Sequence, residues 1–124
     1  MRYMVAALFL LASAPAAAGW VKYGENDEAT FYVDPRVRVD GELRTVWQLE
    51  DLKRRDSSGV MSRRSLQEFD CKTKRGRVLS ASFHSELSVK GSVLGSSETP
   101  GEWHDVAPGS VAEAILRKVC ALRR

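Results

Sequence analysis

Two cysteines, two histidines and a dense run of basic side chains are the residues of this sequence whose types and spacing could do chemistry. His84 and His104 are the only histidines. Serine and aspartate are plentiful, so composition alone admits a hydrolytic triad, yet neither a GxSxG elbow nor another nucleophile motif accompanies them. A metal site needs convergent ligands, and two isolated histidines do not supply them. Gly91-Ser92-Val93-Leu94-Gly95 lacks the lysine and context of a phosphate-binding loop. No catalytic residue, metal or cofactor is therefore expected, and both histidines read as surface groups.

Cys71 and Cys120 lie 49 positions apart, with no CxxC and no nearby histidine. In an exported chain such a pair is most simply a disulfide, with two free or metal-binding thiols as the rival. The closed loop would be worth about 4 kcal/mol by chain entropy.

Charge is uneven along the chain. Gly19 to Leu52 holds four basic and eight acidic residues, a net of −4, and Val78 to Arg124 is neutral with five of each. Between them, Lys53, Arg54, Arg55, Arg63, Arg64, Lys72, Lys74, Arg75 and Arg77 face only three acids, a net of +6. This segment is the candidate footprint for an anionic partner, a glycosaminoglycan or an acidic protein surface. The plainer reading is a set of solvated charges that keeps strand edges from mispairing. A recognition helix and stacked aromatics are absent, so nucleic acid is not an expected partner.

The elements that must position these groups are mostly strands. Trp20 to Gly24 and Thr30 to Asp34 are short, β-branched and aromatic, with an Asn26-Asp27 turn between them. Asp40-Gly41 signals a hairpin after Val37-Arg38-Val39. Leu43 to Lys53 alternates, with Leu43, Thr45, Trp47 and Leu49 on one face and Arg44, Gln48 and Glu50 on the other, which predicts a half-buried strand. Asp56-Ser57-Ser58-Gly59 reads as a loop, Met61 to Cys71 as a strand and Lys74-Arg75-Gly76 as a turn. Arg77 to Val89 alternates again, with His84 on the polar face. Lys90 to Glu102, rich in Gly and Ser, reads as a loop with a short edge segment. Tyr23 and Tyr32 do not both point inward easily, so one ring is expected at the surface, where a singly exposed aromatic is common and implies no contact.

The period then changes. Val111, Ala112, Ile115, Leu116, Val119 and Cys120 form an apolar stripe at helical spacing, opened by a Ser110–Glu113 capping box and closed by Arg117 and Lys118. The expected fold is α+β: one antiparallel, meandering sheet with a C-terminal helix on one face, stapled through Cys71 and Cys120. In a meander, Lys53–Arg55 and Lys72–Arg77 fall at opposite ends, separated by about 27 Å of strand.

Length and composition set the frame. At 124 residues, 44% hydrophobic and 28% charged, the chain reads as one folded domain rather than a disordered tail or a polytopic membrane protein. Arg2, the uncharged run Met4 to Ala12, and Ala14-Pro15-Ala16-Ala17-Ala18 make a secretory signal peptide with cleavage after Ala18. The run is too short for a membrane span. No cysteine follows it for lipid attachment, so a non-lipidated domain over residues 19–124 is expected, either periplasmic or secreted to the cell surface.

Trp20, Phe31-Tyr32-Val33-Asp34, Val46-Trp47 and above all Glu68-Phe69-Asp70-Cys71 occur in order, followed by Trp103, Pro108-Gly109-Ser110 and a helix ending in Val119-Cys120. This series resembles the surface-adhesin protein E family of Gram-negative bacteria over nearly the whole mature chain. The resemblance implies a small antiparallel sheet plus helix, a disulfide corresponding to Cys71–Cys120, and an envelope location. It also implies adhesion to host extracellular-matrix proteins or cell surfaces, in some cases as a dimer. The matched positions are scaffold positions, and no contact residue carries over with them. The expectation is an exported, non-enzymatic binding module; the alternative is a soluble periplasmic accessory protein with an endogenous envelope partner.

Overall fold

A computed structural model describes residues 19–123, so the expected signal peptide lies outside the described residues. Eight strands and one helix follow in order: β1 (Val21–Glu25), β2 (Ala29–Val33), β3 (Arg38–Asp40), β4 (Leu43–Leu52), β5 (Ser62–Asp70), β6 (Arg75–Glu86), β7 (Lys90–Ser97), β8 (His104–Asp105) and α1 (Val111–Cys120). The strands make one sheet in the order β1-β2-β4-β5-β6-β7, with β3 beside β4 and β8 beside β6, every pairing antiparallel. The α+β architecture with a single terminal helix is the one the periodicities predict.

The sheet face that α1 covers is the one carrying Arg44 and Val46. Val46 and Phe69 join Ile115, Leu116 and Val119 in the core, with Tyr23, Val33, Val37 and Val111 packed around them. Trp47 is outside that cluster, on the other face, and Leu49 is buried without joining it. Alternation defines two faces but not which one is covered. Here an arginine takes the inner position because its guanidinium finds carbonyl partners there.

Ser110 caps α1 by accepting the Glu113 N–H at 3.1 Å, while Glu113 accepts from Gly109 at 2.8 Å, one residue earlier than a strict capping box. The Tyr23 hydroxyl donates to the Ala114 carbonyl at 2.6 Å and ties β1 to the helix; burial raises its pKa. Tyr32 pairs in register with Leu49 and so points to the opposite face.

Three local expectations need correction. The turn placed at Lys74-Arg75-Gly76 occupies Cys71–Lys74 instead, and β6 already begins at Arg75. Asp70 accepts the N–H groups of Lys72 and Thr73, and Lys74 closes the turn with a positive φ of 63°. The expected loop from Lys90 is an eight-residue edge strand, because pairing with β6 uses main-chain groups and needs no apolar side chains.

Finally, β6 stops at Glu86 rather than running to Val89. Ser88 and Val89 both take positive φ (60° and 65°), and the Lys90 N–H donates to Leu87 at 3.2 Å, giving a primed hairpin turn. No Asn-Gly announces this turn. The conformation is held from outside, since Ser88 N–H donates to Asp51 at 2.8 Å and Val89 N–H to Ser62 at 3.0 Å. A β-branched residue in the left-handed region is strained. Replacing Ser88-Val89 by Asn-Gly should therefore stabilise the domain by about 1–2 kcal/mol. A urea titration showing a raised midpoint at constant slope checks this; an unchanged midpoint counts against it.

Candidate functional site

The nine basic residues singled out from the sequence divide into those already neutralised and those left free. Lys53 donates to Glu25 at 2.7 Å, Arg63 lies 3.6 Å from Glu50, and Arg77 donates to Glu68 at 2.9 Å. Glu25 sits between Lys22 and Lys53, whose hydrogen bonds and charges pull its pKa down to about 2. Arg55 is bound to the carbonyls of Gly59 and Ser85, and Arg75 to Trp103 and Asp105. Arg64 lies 4.1 Å over the Trp47 ring and Arg77 lies 4.6 Å over Trp103.

Arg54, Lys72 and Lys74 remain exposed without an ion pair, at opposite ends of the sheet. Arg54 stands among Glu28 and Asp56, so acids surround it. Lys72 and Lys74 belong to the β5–β6 turn, next to Cys71. The nine-residue length of β5 puts the two ends about 30 Å apart.

The disulfide brings another cation to the second end. Cys71 and Cys120 are bonded, with 5.7 Å between their Cα atoms. The last turn of α1 and the residues after it are thereby held beside the β5–β6 turn. Arg123 is exposed there beside Cys120 without an ion pair, whereas Arg117 lies 3.6 Å from Glu113 and Lys118 stands on the other side of the helix, near Val21, Tyr23 and Pro35. Sequence reasoning missed Arg123, because its region sums to zero charge and only the disulfide brings it to the end that carries Lys72. An open cleft of about 560 Å³ lies at this end, lined by Arg44, Cys120, Ala121, Leu122 and Arg123.

The histidines behave differently from each other. His104 is exposed on β8, as expected. His84, expected at the surface, is buried at 6% exposure. It hydrogen-bonds Ser82 through Nε2 at 2.7 Å and stands opposite the fully buried Ser62. The hairpin that bonds Asp51 and Ser62 closes over this end of the sheet, which alternation along β6 alone could not foretell.

Burial, and then the charge of Arg64, lower the His84 pKa below its ordinary 6.5. As pH falls through 6.5 the unfolded chain takes up this proton before the folded one does. Stability should accordingly be full above 6.5 and decline as pH drops toward the folded-state pKa. Denaturation midpoints measured across that window should fall for the wild type and flatten in His84→Gln; equal slopes would refute the assignment.

Among the described residues no group of three or more metal-ligating side chains converges, and no helix is long and apolar enough to cross a membrane.

The family model described as surface-adhesin protein E matches residues 20–121. No curated protein sequence matches the chain. Solved structures of Haemophilus influenzae protein E are similar in fold at 14% identity. Crystal form II gives a TM-score of 0.66, covering 84% of this chain and 88% of that one. A structure of the protein from non-typeable Haemophilus influenzae gives 0.57, covering 87% and 79%.

Proposed function

Because the chain belongs to the surface-adhesin protein E family, we propose that it is an exported, non-catalytic module that adheres to acidic host extracellular-matrix or cell-surface components through the disulfide-bonded end of its sheet. The supporting observation is the placing of three exposed, unpaired cations at that end: Lys72 and Lys74 from the β5–β6 turn and Arg123 just past α1. Elsewhere the positive charge of the basic segment is largely consumed inside the molecule. Unpaired cations on a rigid frame attract an acidic partner over about a Debye length, 8 Å at physiological salt.

Solid-phase binding to matrix proteins tests the reading. Lys72→Glu/Lys74→Glu should weaken binding about tenfold or more, and added salt should weaken the wild type. Arg54→Glu, at the other end, should change it little. Absence of binding at any salt concentration overturns the proposal. Surface protease shaving of native cells adds a second check. Digestion supports adhesion, and protection within the envelope supports the alternative, an accessory protein with an endogenous periplasmic partner.

A further inference from the structure

The helix-free face of the sheet holds a second feature, independent of the disulfide-bonded end. Cross-strand register lines up Leu49, Arg64, Ser82 and Ser96 on β4, β5, β6 and β7, with Trp47, Leu66 and Ser80 in the adjacent row. A cleft of about 110 Å³ opens among Trp47, Arg64, Ser80, Ser82, Ser96 and Glu98. Its floor carries an unanswered cation. The Arg64 guanidinium stacks on Trp47 but donates no hydrogen bond to the protein, and its Nε is buried without a partner.

The nearest carboxylates on this strand pair are committed elsewhere, Glu50 to Arg63 and Glu68 to Arg77. The outer nitrogens of the guanidinium have no acceptor in the protein either, so a ligand, ion or water is left to answer its charge. Ser80 and Ser96 likewise have hydroxyls with no partner in the protein, while Ser82 is held by His84.

We propose that this cleft binds the carboxylate-bearing sugar residue of an acidic glycan, with the carboxylate on the outer donors of Arg64 and the ring hydroxyls on Ser80, Ser96 and Glu98. Each part of the ligand answers a group in the cleft. A planar carboxylate suits the guanidinium fork, and stacking on Trp47 fixes that fork in place. Vicinal hydroxyls both donate and accept, which matches two free serine hydroxyls beside an acceptor-only carboxylate. Glu98 at the rim repels multiply charged anions, so a sulfate or phosphate ester fits less well than a monoanion with hydroxyls. The volume takes the carboxylate and the adjoining edge of the ring, leaving the rest of the glycan in solvent.

Glucuronic acid serves as the probe, with glucose, acetate, glycine and sulfate as comparators, read by the NMR signals of the Arg64 Nε–H and the Trp47 indole N–H. Glucuronic acid should shift both and saturate, binding about tenfold or more tightly than any comparator. Arg64→Met keeps the packing on Trp47 and should abolish the response at an unchanged melting temperature. Ser96→Leu, on the exposed edge strand, should block the cleft and abolish it as well. Glu98→Gln should weaken glucose and glucuronic acid alike while strengthening sulfate. The proposal is overturned if glucuronic acid leaves both signals in place, if sulfate or glycine binds equally well, or if the response survives in both Arg64→Met and Ser96→Leu.

Discussion

Arg44→Met is expected to lower the unfolding free energy by about 3 kcal/mol, a large share of the 5–15 kcal/mol of a typical domain. Arg44 is buried at 5% exposure, and all of its hydrogen bonds go to main-chain carbonyls. Nε donates to Val119 at 3.0 Å and Nη2 to Leu122 at 2.9 Å; Nη1 donates to Gly41 at 2.7 Å and Leu43 at 3.0 Å. The Val119 carbonyl belongs to the last turn of α1 and the Leu122 carbonyl lies two residues past it, at the negative end of the helix dipole. The other two belong to the β3–β4 turn and the first residue of β4. One guanidinium thus closes the helix and fixes it to the sheet. Methionine fills the volume but removes all four hydrogen bonds, leaving the Val119 carbonyl with only main-chain N–H partners such as Leu122 at 3.2 Å. Arg44→Lys keeps the charge without the fork and should recover only part of the loss. Urea titrations of the three proteins check this; a change under about 1 kcal/mol for Arg44→Met would show that water replaces the guanidinium at little cost.

The second large effect belongs to the disulfide. Cys71→Ser/Cys120→Ser should cost about 4 kcal/mol, from the freedom regained by a loop spanning 49 positions in the unfolded chain. The consequence is local as well as global. Once the tie is cut, α1 is held to the sheet by the Ile115, Leu116 and Val119 contacts, the Arg44 fork and the Tyr23 hydroxyl. Partial undocking would expose Val46 and Phe69 and should appear as binding of a hydrophobic dye under mild denaturant. Arg44 and Cys120 act on the same turn, so combining the two changes should give a non-additive loss. Strict additivity would mean that the helix end does not move as a unit.

The α+β class, the terminal helix and the pairing of the cysteines were legible in the sequence for identifiable reasons. The stripe from Val111 to Cys120 has no competing period, and two cysteines admit one pairing. The covered face of β4 was not legible, because Arg44 looks like a surface residue until four carbonyls surround it. His84 was misjudged for a related reason: what buries it is a hairpin whose turn residues, Ser88 and Val89, carry no turn signature. The basic segment is a run in the sequence, and a run is not a patch. Register pairs Arg63 with Glu50 across β4 and β5, and Arg77 with Glu68 across β5 and β6. Arg123 had no signal at all beyond its distance from Cys120.

The hydrogen bond between the Tyr23 hydroxyl and the Ala114 carbonyl joins residues 91 apart in sequence, and the core itself takes β4, β5 and α1 together. A domain whose decisive contacts are this non-local folds slowly, because loop closure must come before its reward. While α1 is still undocked, Val46 and Phe69 lack their cover, and this is the interval in which oxidation matters. With two cysteines in the whole chain, the first intramolecular bridge to form is the native one. No isomerase is needed to correct it, and an oxidase that acts early turns a long search into a tethered one.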